Sequence, residues 1–540
     1  MILLQRKFIF SIKYFNIINF LSKMKKVFIP LVIAVAAVLT NCDDKKDPVP
    51  LAGFTLSENS VFLTLEGGSQ TSTLVPAFVP ADADNKELEW STSAPAVATV
   101  ADGVITAVGT GYATITAKSK ADATLVQECN VRVMSGQVVT KSGDVEGTWT
   151  MGTVINVTAD VKVPSGKSLT VEEGCEIIFA EAADAILLIV EGSLYCKGTE
   201  ENPVLFTVDA QKRTAANRFA GIWGGIVFGN NSAEAVIDHA IIEYTGGTIR
   251  SGSPALGYEY KVAAGEAMHT FLGGNVNGKY VITNSVLRYS VDNHFYLWGG
   301  NYLIANNYMI AGGETGGDNF APKSGCKADF CFNVIFAPNT NGFKLSSSQS
   351  GPARPDAVFR CYNNTMINAG WRRDGVKGGG IYVEKDCLAS VFNNLMVNCK
   401  YRSMYLDCNP ASVVDYNYYC AGTQASTVAQ DGGKNCYETL MQANSNYKEG
   451  VDANGKISAS AGNLDPMFEN YGFNTVPLNQ YEYSDAWDFH LKAGSPALTG
   501  SRSDFSGVWT GFFVTTGLTV GGKEYKSPAP AARFGAFGTK

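Results

Sequence analysis

Four short strings in the second half of the chain set side chains of catalytic and binding type at a spacing of two: HFYLWGG (294–300), GFKLSSS (342–348), GIYVEKD (380–386) and SMYLDCN (403–409). They align without gaps. Phe295, Phe343, Ile381 and Met404 fall in one column and Leu297, Leu345, Val383 and Leu406 in another, both apolar. Successive side chains of an extended strand point to opposite faces, so these two columns point inward and the positions between them outward. The outward sets are Tyr296, Lys344, Tyr382 and Tyr405, then Trp298, Ser346, Glu384 and Asp407. NFAPKSG supplies the strand between the first two strings, with Lys323 outward. Aromatic faces stack on the apolar CH patches of sugar rings while charged groups fix hydroxyls or carboxylates, so the stripe reads as a saccharide surface. The competing reading is a merely solvated face.

The same residues are the candidates for catalysis. Glycoside hydrolysis uses two carboxylates ~5–9.5 Å apart, and Glu384 and Asp407 on neighbouring strands stand near the short limit. Elimination from an acidic sugar needs a base instead, for which Lys344 or Arg373 qualifies. Two polar, glycine-rich insertions, AGGETGGDNF (311–320) and AGWRRDGVKGGG (369–380), enter just ahead of these strands. The second carries Arg372, Arg373, Asp374 and Lys377, and such loops wall grooves. No aspartates are spaced for calcium on consecutive strands, and the four histidines form no cluster with cysteine at zinc spacing. The expectation is no metal or cofactor, with calcium reserved for the case of a lyase.

What positions these strings is a repeat. An asparagine beside an apolar string recurs at Asn284, Asn306, Asn333, Asn363, Asn393 and Asn417, with Asp238 ahead of them, roughly every 22–30 residues. Runs of four to six residues bounded by Gly, Asn and Asp read as strands, and no stretch keeps a helical period. Strands returning at that interval with no room for crossover helices wind into a parallel β-helix. Asn tolerates the left-handed conformation that a tight corner needs, and stacked amides exchange hydrogen bonds along the axis. The six asparagines are therefore expected to form one scaffold ladder.

The strings SLTVEEGCEIIF, LLIVEGSLYCKGTEENPVLFT, GIWGGIVF and AVIDHAIIEY, with NLDPMF and DFHLKAGSPAL near the end, resemble the right-handed parallel β-helix of pectin-lyase-like proteins over roughly 140–500. VDNHFYLW is similar to a pectate-lyase string. The resemblance implies a polysaccharide lyase or glycoside hydrolase, as much of that family is. Ahead of it, ELEWSTSAPAVATVADGVITAVGTGYATITAKS closely resembles the bacterial immunoglobulin-like domain of group 2, covering 51–134. That family implies a spacer or adhesion unit, and Trp90 reads as core. The fold class expected is all-β: an Ig-like β-sandwich, then a right-handed parallel β-helix, with 501–540 as a C-terminal cap or tail.

The N-terminus reads as an address. MKKVFIPLVIAVAAVLTNC puts Lys25 and Lys26 before an apolar run ending at Leu39, a signal-peptide layout that makes Met24 the expected start. The run falls short of the ~20 residues that span a bilayer. LTNC at 39–42 resembles the lipobox of bacterial lipoproteins, with Asn41 larger than the residue usual there, and implies lipidation at Cys42. DDKKD after it, in the linker 43–50, resembles the export tag of Bacteroidetes-type surface lipoproteins. The competing reading is a soluble secreted protein. Of 12 cysteines, setting Cys42 aside leaves eleven, an odd number, so at least one is unpaired. Cys175 with Cys196 and Cys331 with Cys361 lie about one repeat apart; each pair either closes a disulfide or stacks as buried thiols.

At 540 residues the chain holds more than one domain. A net charge of −7 gives no basic face for nucleic acid. Two function classes remain. The first is a glycan-binding or adhesive lipoprotein, monomeric, anchored in the outer membrane and exposed at the cell surface. The second is a lyase or hydrolase in the same groove. The lack of any motif specific to one catalytic family favours the first.

Overall fold

In a computed structural model, residues 48–258, 261–314, 316–376, 378–384, 386–400, 402–407, 409–424, 441–443, 452–458, 460, 462–505 and 517–540 are described. The repeat closes into coils of three strands. One coil runs through Cys326–Cys331, Val334–Phe336 and Phe343–Ser346, and the next through Val358–Tyr362, Thr365–Ile367 and Gly379–Glu384. Like strands of successive coils pair in parallel, giving three walls. The groove sheet runs from Leu187–Val190 to Met441–Ala443. A second sheet runs from Gly147–Trp149 to Val413–Val414, and a third from Glu176–Phe179 to Lys456–Ile457. The protein is all-β, a parallel β-helix preceded by a β-sandwich.

The interior follows the alternation. Phe295, Phe343, Ile381, Met404, Leu297, Leu345, Val383 and Leu406 are all fully buried. Parallel strands repeat every ~4.8 Å, close to a ring-stacking distance, so like residues stack on like. Phe271 and Phe295 stack at 4.9 Å between centroids, Phe295 and Phe320 at 4.5 Å, and Tyr280 and Tyr302 at 4.8 Å.

The asparagines form two adjacent columns rather than the single ladder expected. Asn284, Asn306, Asn363 and Asn393 take the left-handed corner, with φ between 52° and 59°. In two coils that corner is filled by Phe332 and Tyr416 instead. The ladder belongs to the following residue: Ser285, Asn307, Asn333, Asn364, Asn394 and Asn417. Each Oδ1 from Asn307 onward accepts the backbone N–H of the coil before, at 2.9–3.2 Å. Each Asn Nδ2 donates to a buried strand carbonyl, as Asn364 does to Phe330 at 3.0 Å. The two chemistries separate because a corner side chain in the left-handed region points away from the interior. Only its neighbour points in.

All nine cysteines among the described residues are buried, and Cys129, Cys175, Cys196, Cys326, Cys331 and Cys361 are free thiols. The Cys331–Cys361 pairing fails by one residue of register: Cys331 lies opposite Tyr362, and Phe330 opposite Cys361. The two thiols therefore face opposite sides of the sheet. Cys175 sits at a corner and donates to the Thr150 carbonyl at 3.1 Å, while Cys196 lies in a strand opposite Val171.

The sandwich packs Val61, Leu63, Ile105, Ile115, Val131 and Val133, with Trp90 partly buried against them. Its strand Val126–Met134 leads directly into the coil, where Ser135 N–H donates to Met151 O at 2.8 Å. Later parts of the chain cover the coil's outer walls. Phe468, Tyr471, Phe473, Phe489 and Leu491 pack on the third sheet. Leu518, Val520, Phe505 and Tyr525 pack on the second. Residues 517–540, expected as a cap or tail, thus lie along the coil, where Asn363 Nδ2 donates to Arg533 O at 2.8 Å.

Candidate functional site

The outward face of the groove sheet is in the register that the alternation demands. Lys344 lies opposite Tyr382 and Ser346 opposite Glu384; one coil on, Tyr382 lies opposite Tyr405 and Glu384 opposite Asp407. Tyr296 is followed by Ala321 in its column, which sets Lys323 beside Trp298. Lys344 Nζ is 3.9 Å from Glu384 Oε1, and the Tyr382 and Tyr405 rings are 5.4 Å apart. Lys323, Lys344, Glu384, Tyr405 and Asp407 are half-buried.

Three candidates take different places from those expected. Trp298 does leave the interior, but Ile249, Ala255 and Met268 fold over it and leave it 3% exposed, packed with Leu187, Ile189, Val227 and Leu272. Its ring offers no face to a ligand. Tyr382 points outward yet is only 8% exposed, so little of its ring reaches solvent. Arg372 turns away from the groove sheet altogether. It pairs with Glu314 at 2.9 Å and lies over the Phe219 ring at 4.6 Å and the Tyr481 ring at 5.4 Å. Burial lowers its guanidinium to about 10. An arginine offers a flat apolar face as well as a charge, and here the flat face decides.

Arg373 stays on the groove side, donating to Thr340 Oγ1 at 3.2 Å. Its loop is pinned from below: the buried Lys400 ammonium donates to the Arg373 and Val376 carbonyls, and Trp371 Nε1 donates to Asn398 O at 2.6 Å. Asp374 is exposed at the tip of that loop, accepting from Gly375 N–H. Lys377 and Cys42 lie outside the described residues.

The site also holds residues that the strings alone did not single out. Burial pushes Asp292 up to about 6, with Asp318 and Glu266 adding to the shift and the Asn293 N–H and Arg373 opposing it. Its carboxylate lies against Gly316, where any side chain would collide with it. A second polar ladder edges the groove: Asp318 N–H donates to Asn293 Oδ1, Asn341 Nδ2 to Asp318 Oδ1, and Gly379 N–H to Asn341 Oδ1, at 2.6–3.0 Å. The signal was present in the sequence, since Asn293, Asp318 and Asn341 each stand two residues before an inward Phe. Tyr296 lies 4.5 Å from the His269 ring and 5.7 Å from Lys323 Nζ. Burial raises Tyr296 to about 12, lowers His269 to about 3 and pulls Lys323 below the usual lysine value. Among the described residues no three of His, Cys, Asp and Glu converge where a metal ion would sit.

Residues 136–273 match the family model of the pectate-lyase like β-helix domain, and residues 52–131 match that of the bacterial Ig-like domain (group 2). No curated protein matches the chain. The β-helix match stops short of Tyr296, so the groove residues rest on geometry alone.

Proposed function

We propose that this protein is a surface lipoprotein that binds a polysaccharide along the outward face of the groove sheet. One observation carries the reading. The chain buries the outer walls of its second and third sheets under its own C-terminal residues and the first part of its groove sheet under Ile249, Ala255 and Met268. The stripe through Lys323, Lys344 and Glu384 stays polar and half-exposed, in strict register over a stacked aromatic floor. A flat, rigid strip with charges at every coil suits a long, repetitive, hydroxyl-rich ligand. Lipidation at Cys42 would hold it at the outer membrane, with the sandwich standing between anchor and groove.

A hydrolytic reading of the same groove has its own observation: Asp292, a carboxylic acid that stays protonated to about pH 6 beside the Asp318 carboxylate, is suited to donating a proton. The test is a glycan array, followed by reducing-end and 235-nm absorbance assays on every hit. Lys344→Ala should weaken retained glycans about tenfold or more, and Glu384→Gln should change affinity only modestly. New reducing ends or an unsaturated product would convert the assignment to an enzyme. A hit whose affinity neither substitution alters would remove the groove from the reading.

A further inference from the structure

We propose a second saccharide-binding platform, outside the groove, on the outward face of the β-sandwich where it meets the first coils. Its rings are Phe62 and Tyr112, and its ligand class is a neutral oligosaccharide.

Among the described residues only two aromatic side chains are exposed, Phe62 at 52% and Tyr112 at 50%. They are not scattered. Phe62 on Ser60–Thr64 and Tyr112 on Gly111–Ser119 both lie opposite Arg132 on the strand between, so the three form one row across the sheet. Two strand spacings separate the rings by ~10 Å, the reach of a disaccharide. The alternate residues Val61, Leu63, Val131, Val133 and Ala113 fill the sandwich core, so the row is forced outward and the core has no use for it.

The row is also rigid and has hydrogen-bonding groups beside it. Tyr112 OH donates to Glu173 Oε2 at 2.8 Å and accepts from Asn202 Nδ2 at 2.7 Å, which fixes the ring by its tip and leaves its faces free. The Arg132 guanidinium lies 4.7 Å from the Phe62 centroid and donates to Asn202 Oδ1. Arg132 Nε is buried and makes no hydrogen bond. Glu173 and Glu201 lie near enough to act on the Arg132 charge and offset part of it, which favours an uncharged ligand. Two exposed rings, one of them held by its hydroxyl, with a guanidinium between them and the half-buried Glu173 carboxylate at one edge, suit stacked sugar rings with hydroxyls at their rims.

The bland explanation is that the row only fastens the sandwich to the coil. It accounts for the Tyr112 hydroxyl but not for Phe62, whose ring meets Arg132 and solvent. The test is affinity electrophoresis of the full chain in gels containing a soluble β-glucan, a xylan or a mannan. Four forms are compared: wild type, the groove variant Lys344→Ala/Glu384→Gln, and that groove variant carrying in addition either Phe62→Ala or Tyr112→Phe. At least one polysaccharide should retard the groove variant. Phe62→Ala added to that variant should cut the residual affinity about tenfold, whereas Tyr112→Phe, which keeps the ring and loses the fastening, should leave it within about twofold. The proposal is overturned if no gel retards the groove variant, if Phe62→Ala leaves retardation unchanged, or if Tyr112→Phe abolishes it. The groove assignment is read from the loss between wild type and the groove variant, and the platform from the further loss on adding Phe62→Ala, so the two fail separately.

Discussion

Replacing Asn364 by Ala tests the separation of ladder from corner most directly. The side chain makes two bonds to strand and corner backbone that nothing else replaces. Its Oδ1 accepts the Asn333 N–H at 3.1 Å, and its Nδ2 donates to Phe330 O at 3.0 Å. It also exchanges bonds with the Asn333 and Asn394 amides at 3.0 and 2.9 Å. All of these groups are buried, so alanine strands one backbone donor and one backbone acceptor away from water. At about 1–3 kcal/mol for each unsatisfied group the loss is roughly 2–6 kcal/mol. Asn306 is the control, an exposed corner residue with φ 59°. Asn306→Ala loses no buried bond and costs only left-handed strain, about 1 kcal/mol. Urea denaturation followed by circular dichroism measures both. Each coil leans on its neighbours, so the Asn364 loss should appear as an earlier, broader transition of the whole coil stack. Equal midpoints for the two variants would refute the two-column reasoning.

Three further outcomes follow from the same geometry. Asp292 binds its proton more tightly folded than unfolded, so its stabilisation is present below about pH 4 and is lost as pH rises to about 6, a cost of roughly 3 kcal/mol above that. Asp292→Asn should therefore gain stability over wild type between pH 4 and 7, and parallel pH profiles in urea titrations would show the shift to be absent. The buried thiols of Cys129, Cys175, Cys196, Cys326, Cys331 and Cys361 should resist alkylation in the native protein and all react in denaturant; a peptide linking Cys331 to Cys361 in unreduced digests would contradict the register. Cys42→Ala should release the protein from membrane pellets, and a wild type that pellets without incorporating lipid label would end the lipoprotein proposal.

The strand alternation was legible because it is local. Inward Leu345, Val383 and Leu406 could not slip by one residue without burying Lys344, Glu384 and Asp407, so the register followed from the cost of burying charge. The asparagine columns were less legible. In CYNNTMINAG both Asn363 and Asn364 fit a corner, and which one bends and which one stacks depends on backbone angles that residue types leave open. Arg372 and Trp298 were misplaced for a different reason. Their fates depend on Phe219, Tyr481 and Met268, residues distant in sequence, and no periodicity encodes those partners. Asp292 escaped notice because its character comes from burial beside Asp318 and Glu266, which only the folded coil brings together.

The covering of two walls bears on how such a coil acquires a function at all. A parallel β-helix offers three outer surfaces of nearly equal regularity, and each is a row of side chains free to vary. Here the C-terminal residues take the second and third, and they are tied down by specific partners: Ser527 donates to Asp329, which is already paired with Arg360 in a fully buried cluster. A buried ion pair of that kind adds little net stability, but it penalises any other placement of the strap. The groove sheet is treated differently: its charged groups Lys344, Glu384 and Asp407 stand on the strands themselves, while Asp318 and Arg373 come from the insertions that precede them. Scaffold and site are thus divided by wall. Interior ladders and stacks hold the register, two walls spend their surface on fixing the chain to itself, and the remaining wall leaves Lys323, Lys344 and Glu384 half-exposed.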